Sequence, residues 1–271
     1  MKKIRSFRDD WTEDDVQFLA QLGIKAEVGA WWAWIDVEED ERYFQIKERY
    51  GHRWDCISDV IVYKYSKEEL DAADYYIFKG WHGCGYPQPE NNYLSVSFDA
   101  EKICSKCGCG RVQTDALRVN KVSKHGFWSF FAWIDDVFFV SEKVYNEVFA
   151  PYGIGKRDVI KGGKILEGVF QLVIPIIDEP LDLSERNHWV CPTCGETKYD
   201  ITHRAYPFFP LHEHPLPGIY MTKEYFSAEQ CYQAERVVIL SKDVATKLIK
   251  FKDLKSEWLI PCKRFVPEED L

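Results

Sequence analysis

The sequence predicts an α+β fold in which strands outweigh helices, with two weakly repeated halves joined by a zinc-ribbon-like site of four cysteines. Short runs of β-branched and aromatic residues alternate with segments that carry helix-capping signals. Two Cys-x-x-Cys-Gly motifs lie far apart in the chain, and the same order of elements follows each of them. We therefore expect the motifs to join two segments of one larger domain rather than to form a compact zinc finger.

The two motifs, called hooks below, read CSKCG at residues 104–108 and CPTCG at residues 191–195. Two thiolates separated by two residues can bind one metal ion from a tight turn, and the glycine lets the backbone bend so that amides point at the sulfurs. Two hooks complete a tetrahedron, and four sulfur ligands leave no open position for substrate, which favours a structural ion. We predict one zinc ion per chain, with the ligands Cys104, Cys107, Cys191 and Cys194.

Other uses of these cysteines stay open from the sequence alone. A Cys-x-x-Cys pair can be a redox dithiol, and a four-sulfur site suits a rubredoxin-like iron centre as well as zinc. Cys109 directly follows the first hook and offers an alternative ligand. With Cys109, the cysteines outside the hooks number an odd five without a pairing pattern, which is typical of reduced thiols. The other four are Cys56, Cys84, Cys231 and Cys262.

The totals exclude several classes of protein. The chain has 271 residues, enough for a sizeable core, and no apolar run approaches the roughly 18 to 20 residues that span a membrane. Charged residues follow the N-terminal Met-Lys-Lys where a signal peptide would be apolar, so we expect a cytoplasmic protein. A net charge of −9 argues against loose binding to nucleic-acid backbones and is compatible with a basic protein partner.

Residues 1–92 are predicted to form an N-terminal α+β segment packed on the rest of the chain. Thr12 begins a helix whose first turn is acidic. The run AWWAWID at residues 30–36 predicts a strand buried on both faces; if exposed, it would instead be a sticky surface for a partner. Residues 38–42 are most simply a solvated turn, with an acidic contact for a cationic partner as the alternative.

Residues 93–271 are predicted to form a zinc-binding region with two half-repeats, at about 104–175 and about 191–262. A half-buried strand at residues 93–98 leads into the first hook. Between the half-repeats, the sequence KGGK at residues 161–164 predicts a hairpin tip, and it lacks the pattern of a phosphate-binding loop.

Each half-repeat has the order hook, strand, Ser-capped helix, strand, proline. The strand FFVS ends at Ser141 and the strand VILS ends at Ser241, and the later strands end at Pro175 and Pro261. Repeated units usually pack side by side and share a core, which would bring the two hooks together. Chance similarity between two short segments is the alternative explanation.

Three histidines follow the second hook, at His203, His212 and His214. Their spacing differs from the His-Glu-x-x-His of zinc proteases, and three nearby prolines forbid a long helix here. A surface loop with incidental histidines explains them, and a separate metal site is the alternative. No His-x-Glu precedes the second hook, so the zinc deaminases do not fit.

Nucleophilic catalysis lacks its usual surroundings in this sequence. Ser141 and Ser241 lie where a strand enters a helix, but the glycines of a Gly-x-Ser-x-Gly elbow are absent, and helix capping explains both serines. Cys84 follows His82 between flexible neighbours, so a reactive thiol is an alternative there. We predict no catalytic residues, and an enzyme is the less favoured interpretation.

Nucleic-acid binding through a zinc ribbon is the strongest competing function. Basic residues surround the first hook, and two aromatic residues nearby could stack on bases. These residues are Lys106, Arg111, Arg118, Lys121, Lys124, Phe127 and Trp128. The acidic chain as a whole argues against this function, and basic residues are common on solvated faces.

With both hooks in place and a half-repeat after each, the sequence resembles the double-CXXCG motif family. The resemblance is carried by the four hook cysteines, by Gly108 and Gly195, and by the Ser141 and Ser241 segments, and it extends to Cys262. The family is best known from bacteria and is linked to immunity proteins of polymorphic toxin systems. The resemblance implies a protein that binds and blocks a cognate toxin and has no catalytic residues of its own.

These observations together predict a non-enzymatic, zinc-stabilised binding protein, with toxin neutralisation as the expected function. Acidic inhibitors associate quickly with basic toxins through electrostatic steering. A zinc-ribbon nucleic-acid-binding or regulatory protein is the alternative.

Overall fold

The computed structural model describes residues 1–52, 57–78, 82–130, 134, 136–178, 180–181, 183–184, 186–200, 209–211, 217–227 and 234–264. The chain divides into two compact units, Met1–Glu69 and a second unit that begins at Leu70. This division differs from the boundary expected after residue 92, because a strand at Tyr75–Phe78 pairs with two strands from far along the chain. None of the helices in the described ranges is long and apolar enough to cross a membrane.

The first unit combines a three-stranded antiparallel sheet with two helices around one hydrophobic core. Strand β1 (Lys2–Arg8) pairs with β2 (Ile35–Glu38) on one side and with β3 (Ser58–Lys64) on the other. The helices are α1 (Glu13–Gln21) and α2 (Glu41–Arg49). Sheet and helices share a cluster of buried apolar side chains, which includes Phe7, Trp11, Leu19, Ile35, Val37, Tyr43, Ile46 and Tyr50.

Both helices of the first unit begin at a capping side chain. The Thr12 hydroxyl accepts from the Asp15 amide at 3.3 Å, and the Asp15 carboxylate accepts from the Thr12 amide at 3.0 Å, so the predicted helix start is confirmed. The Asp40 carboxylate accepts from the Arg42 amide at 3.0 Å and also pairs with the Arg42 guanidinium. Residues 38–42 therefore end β2 and begin α2.

The predicted strand at residues 30–36 is wrong in its position and its burial. Strand β2 begins only at Ile35, and its side chains alternate between buried and exposed. Gly29 turns the chain just before it, with a φ of 71°. The aromatic composition of the run therefore belongs to a turn and not to a doubly buried strand. Its tryptophans are exposed, at 58% for Trp31, 62% for Trp32 and 40% for Trp34.

The second unit is built mostly from short strands. In chain order these are β4 (Tyr75–Phe78), β5 (Phe127–Ser129), β6 (Phe138–Ser141), β7 (Gly155–Lys161), β8 (Lys164–Val173), β9 (His188–Val190), β10 (Thr197–Tyr199), β11 (Phe209–Leu211), β12 (Ile219–Met221), β13 (Tyr225–Phe226), β14 (Val238–Ser241) and β15 (Leu259–Arg264). The helices from the unit boundary onward are α3 (Lys67–Ala72), α4 (Tyr93–Ser97), α5 (Glu142–Val144) and α6 (Lys242–Lys250). The chain is thus an α+β protein in which strands outweigh helices, as predicted.

Irregular helical turns extend two of these elements. After α5 the chain continues as a π-helical turn, Tyr145–Phe149, and a 3-10 turn, Ala150–Tyr152. A further 3-10 turn, Ser256–Trp258, leads directly into β15.

Two larger sheets provide the main core of the second unit. One has the strand order β5-β6-β8-β7, and the other has the order β11-β15-β4-β14-β12. The predicted hairpin tip at residues 161–164 is confirmed, because it joins β7 to β8. Side chains from both sheets and from α5 and α6 pack in one buried cluster, which includes Phe138, Val140, Val144, Val238, Leu240 and Val244.

The two Ser-to-helix junctions share their backbone pairing but differ in the use of the hydroxyl. The Ser141 amide donates to the Gly126 carbonyl and the Ser241 amide to the Gly218 carbonyl, each at 2.9 Å. The Ser141 hydroxyl accepts from the Val144 amide and caps α5, as predicted. The Ser241 hydroxyl accepts instead from the Gly218 amide at 3.0 Å, so the side-chain cap predicted for α6 is wrong.

The predicted strand at residues 93–98 is also wrong, because this segment forms α4. Tyr93 and Ser97, one helical turn apart, are both buried, while Phe98 leaves the helix in an extended conformation. Over six residues, a strand period and a helix period select nearly the same apolar positions. The alternation in the sequence therefore could not separate the two structures.

Candidate metal centre

The first hook is a tight turn in an irregular stretch of the second unit. The Cys104 amide donates to the Cys109 carbonyl at 2.9 Å, and the Gly108 amide donates to the Cys104 carbonyl at 2.8 Å. Gly108 has a φ of 71°, a left-handed conformation that a side chain would disfavour. The glycine is therefore the residue that lets the chain reverse directly after Cys107.

The second hook has the same geometry at the tip of a β-hairpin. Strands β9 and β10 pair antiparallel on either side of it, and β13 extends this small sheet by pairing parallel to β10. The Cys191 amide donates to the Glu196 carbonyl and the Gly195 amide donates to the Cys191 carbonyl, both at 2.9 Å. Gly195 has a φ of 76°. The two hooks thus share the same pair of backbone hydrogen bonds and the same glycine conformation.

The structure brings the four hook sulfurs together. The Sγ atoms of Cys104 and Cys191 are 3.8 Å apart, those of Cys107 and Cys194 are 3.6 Å apart, and all four lie within 4.8 Å of one another. A tetrahedral ion with metal–sulfur bonds of about 2.3 Å places its ligands about 3.8 Å apart. Disulfides would need about 2.0 Å, and these cysteines are free. The group could therefore hold a metal ion with two ligands from each hook.

A later segment of the chain packs against the hooks. The Ala234 amide donates to the Cys107 carbonyl at 3.0 Å, and Ala234 is fully buried beside the cysteines. The Tyr225 hydroxyl accepts from the Gly110 amide at 3.4 Å. Three of the four hook cysteines are buried and only Cys194 is exposed. The group is therefore exposed at Cys194 and buried at its other three cysteines.

Arg111 and Cys109 have structural surroundings next to the first hook. Arg111 is buried, donates to Asp136 at 2.7 Å and reaches the Ala234 carbonyl at 3.4 Å. Cys109 is buried among the hook residues, but its sulfur does not belong to the group of four. Burial raises the pKa of Cys109, which favours a protonated core thiol over a further ligand.

The turn of each hook stabilises the thiolate of its first cysteine. The pKa of Cys191 is lowered to about 6, chiefly because the Cys194 amide donates to its sulfur. Burial opposes the corresponding shift at Cys104, but amides of the same turn outweigh it and the pKa of Cys104 is lowered. Burial raises the pKa of Cys107 to about 12. A bound cation would supply the charge that lets all four thiols ionise.

The reactive-thiol alternative at Cys84 finds no support in the structure. Burial raises the pKa of Cys84, so the thiol is less acidic than an exposed one, whereas reactive cysteines have lowered pKa values. Its neighbour His82 stacks on His125, with ring centroids 3.4 Å apart and planes at 6°. The Asp253 carboxylate lies 3.8 Å from Nδ1 of His125. Sequence analysis missed this cluster because its members come from separate parts of the chain.

Several predicted candidates lie outside the described residues. These are His203, His212 and His214, together with Cys56 and Cys231. Within the described ranges, the hook cysteines form the one group of three or more metal-ligating side chains.

The residues proposed for nucleic-acid stacking are not available for it. Phe127 and Trp128 are each 1% exposed and lie in the core as part of β5. Arg118 pairs with Asp115 at 2.8 Å, and Arg111 is buried against Asp136. These side chains therefore support the fold, and the basic residues left exposed near the first hook are lysines.

Fold and site together define an α+β protein with a largely buried four-cysteine group that could hold a metal ion. Comparison with protein-family models, with curated proteins and with solved structures finds no match to this chain. The function must therefore be argued from the site, the charge and the surfaces of the chain itself.

Proposed function

We propose that the four hook cysteines hold one structural zinc ion and that the protein acts without catalysis, by binding a protein partner. The observation that carries the zinc proposal is the sulfur spacing of 3.6 and 3.8 Å, which suits a closed tetrahedral site. A site closed by four sulfurs has no open position at which a substrate could be activated. Iron would use the same ligands, and visible absorbance separates the two because zinc centres are colourless.

We further propose that the partner is a bacterial toxin and that this chain is its immunity protein. The resemblance to the double-CXXCG motif family supports this role, and the net charge of −9 suits electrostatic steering toward a basic toxin. The free cysteines of the described ranges support a reducing, cytoplasmic location.

We infer that the hook-bearing halves are weak repeats joined by the metal. The matching hydrogen bonds of the hooks support this, as does the matching pairing of β5 with β6 and of β12 with β14. Strand order argues for divergence between the halves, since β6 pairs with β8 directly while β4 lies between β14 and β15. Side chains from both halves nevertheless pack in one buried cluster, as stacked repeats do.

The zinc proposal is tested by metal content per chain, measured by mass spectrometry on untagged protein. We expect one zinc ion in the wild type and loss of zinc in both Cys104→Ser and Cys191→Ser. Cys84→Ser and Cys109→Ser are the matched controls, because these thiols lie outside the group of four, and both should keep the metal. Zinc retained after one hook is broken would contradict a shared site.

The immunity proposal is tested by co-expression with the toxin encoded beside the gene. Cells should survive only when the protein is present, and the two proteins should elute together in size-exclusion chromatography. The nucleic-acid alternative predicts affinity that falls log-linearly with salt across unrelated DNA and RNA sequences. If the protein rescues no cell and its affinity for DNA or RNA falls log-linearly with salt, the immunity proposal is rejected in favour of nucleic-acid binding.

A further inference from the structure

The first unit exposes a patch of aromatic rings. Residues 29–34, called the tryptophan turn below, carry Trp31, Trp32 and Trp34 with exposures of 58%, 62% and 40%. Exposed apolar patches on soluble proteins mark interaction sites more often than scattered single residues do. Trp31 and Trp32 meet edge to face, with centroids 5.9 Å apart, so they form one continuous surface.

The backbone holds the tryptophan turn in place without using the exposed rings. The Gly29 amide donates to the Trp11 carbonyl at 3.1 Å, and the Ala33 amide donates to the Ala30 carbonyl at 2.9 Å. Ala30 and Ile35, at the two ends of the tryptophan run, are buried. A surface that is already ordered loses little conformational entropy when a partner binds to it.

The indole faces of this patch already bind a cation from the chain itself. The Arg8 guanidinium lies 4.7 Å from the ring centroid of Trp34 and 6.0 Å from that of Trp31. These distances are typical of cation–π contacts, in which the negative ring face attracts a positive group. Trp32, the most exposed of the three, offers the same chemistry to a cation from another molecule.

A carboxylate borders the tryptophan turn, within a unit of net negative charge. A Cβ placed on Gly29 would lie 3.9 Å from Oδ1 of Asp10, so this carboxylate borders the turn directly. Glu27, two residues before the turn, is exposed. The first 69 residues carry sixteen acidic and eleven basic side chains, a net charge of −5, and several of the basic ones are engaged in ion pairs within the unit. An approaching cation therefore meets aromatic faces and negative charge together.

We propose that the tryptophan turn is the surface on which this protein docks a basic, arginine-rich segment of a protein partner. Guanidinium groups of that segment stack on Trp31 and Trp32 and pair with the Asp10 carboxylate. Tryptophan and arginine are the residue types that dominate binding energy in protein interfaces, which suits this pairing. The inference rests on the proposed binding function and names the surface that would perform it.

The docking surface is tested with a short oligoarginine peptide, titrated into the full-length protein and followed by tryptophan fluorescence and calorimetry. Truncation of a central aromatic contact should weaken binding by about tenfold or more, so we expect this loss in Trp32→Ala and Trp31→Ala. Asp10→Asn removes one carboxylate and should weaken binding without altering any ring. Phe44→Ala is the matched control, because Phe44 on α2 is an aromatic residue of similar exposure, 52%, that does not belong to the turn.

Unchanged affinity in both tryptophan variants would overturn the docking surface, and so would equal binding of an oligoglutamate peptide. A wild-type dimer that becomes monomeric in Trp32→Ala would overturn it as well, because the turn would then be a contact between copies. Far-ultraviolet circular dichroism and the urea unfolding midpoint confirm that the first unit is folded in each variant. If wild type and Trp32→Ala both rescue cells from the toxin, this surface is rejected and the immunity proposal stands. If neither form rescues cells but the tryptophan variants still bind the oligoarginine peptide more weakly than wild type, the docking surface stands and the immunity proposal is rejected.

Discussion

The core of the first unit and the hook region of the second unit bury very different side chains. The first unit closes on large apolar side chains, including Phe7, Trp11 and Ile46, which are at most 2% exposed. The hook region of the second unit closes on a small cluster made of four cysteines and Ala234, and the four are Cys104, Cys107, Cys109 and Cys191. A cluster of this kind buries little apolar surface, so hydrophobic burial alone stabilises it weakly. Where the chain provides sulfur instead of hydrocarbon, a bound metal would supply the stability that a hydrophobic core supplies elsewhere.

Removal of the metal should produce the largest difference in stability between the first unit and the hook region. Because binding energy at a structural zinc site is folding energy, a strong chelator should lower the stability of the hook region by about 5 kcal/mol or more. The first unit holds no hook residue and should keep its protection. Hydrogen exchange measured by mass spectrometry with and without chelator checks this expectation. Equal loss of protection in residues 1–52 would show that the units do not differ in this way.

Truncation of a buried side chain in the core of the first unit should destabilise that unit and leave the metal site intact. Ile46 on α2 is fully buried, so Ile46→Ala should lower the free energy of unfolding of the first unit by about 2 to 5 kcal/mol while metal content is unchanged. Phe44→Ala on the same helix removes an exposed side chain and should change stability by no more than about 0.5 kcal/mol. Urea unfolding followed by circular dichroism measures both variants. Loss of metal in Ile46→Ala would show that the stability of the metal site depends on the core of the first unit.

The two serine junctions provide a smaller comparison within the second unit. Ser241→Ala leaves the buried Gly218 amide without its acceptor and should cost about 1 to 3 kcal/mol. Ser141→Ala removes a helix cap with a long bond of 3.4 Å and should cost about 0.5 to 1 kcal/mol. Urea midpoints of the two variants give the order directly. A larger loss in Ser141→Ala would mean that helix capping matters more here than the buried amide.

The smallest expected effect is a pH dependence at the stacked histidines. Burial, reinforced by His125, Lys255 and Lys124, lowers the pKa of His82. The unfolded chain then binds the proton more tightly, so this contribution to stability is complete above about pH 6.5 and is lost as pH falls through the folded-state pKa. Burial raises the pKa of Asp253, whose contribution has the opposite sign, so the measurement compares variants rather than absolute slopes.

His82→Gln should flatten the pH dependence of the urea midpoint below about pH 6.5 relative to wild type. His52→Gln is the matched control, because it makes the same exchange at an exposed position. Identical slopes in wild type and His82→Gln would show that folding does not lower the pKa of His82.

The site could be predicted from sequence much better than the fold around it. Cys-x-x-Cys-Gly spacing encodes a turn whose hydrogen bonds are local, so the two hooks were recognisable without knowledge of the fold. Thr12 and Asp15 form the predicted capping box for the same reason. The local sequence does not indicate the contacts around the hooks. These contacts are the pairing of β9 with β10 and the hydrogen bond from Ala234 to Cys107.

The strand predicted at residues 30–36 is wrong because it depends on pairing that the local sequence does not encode. Three tryptophans near Ile35 have the composition of a buried strand, but composition does not say whether a neighbouring strand continues alongside, and β1 pairs with β2 only as far as Phe7 and Ile35. The structure divides the chain at Leu70 and not after residue 92, because β4 pairs with strands far along the chain, and such pairing leaves no trace near residues 75–78.

Because β4 lies between β14 and β15 in its sheet, it can pair only late in the synthesis of the chain. Strands β1, β2 and β3 are all available once Lys64 has been synthesised, whereas β4 meets its partners only after Val238 and then Leu259 have left the ribosome. Until β14 and β15 have been synthesised, β4 has two unpaired edges, although all four of its residues are buried in the folded protein. Nascent chains of this protein are therefore most vulnerable to aggregation late in translation, and a pause or truncation there leaves β4 without either neighbour.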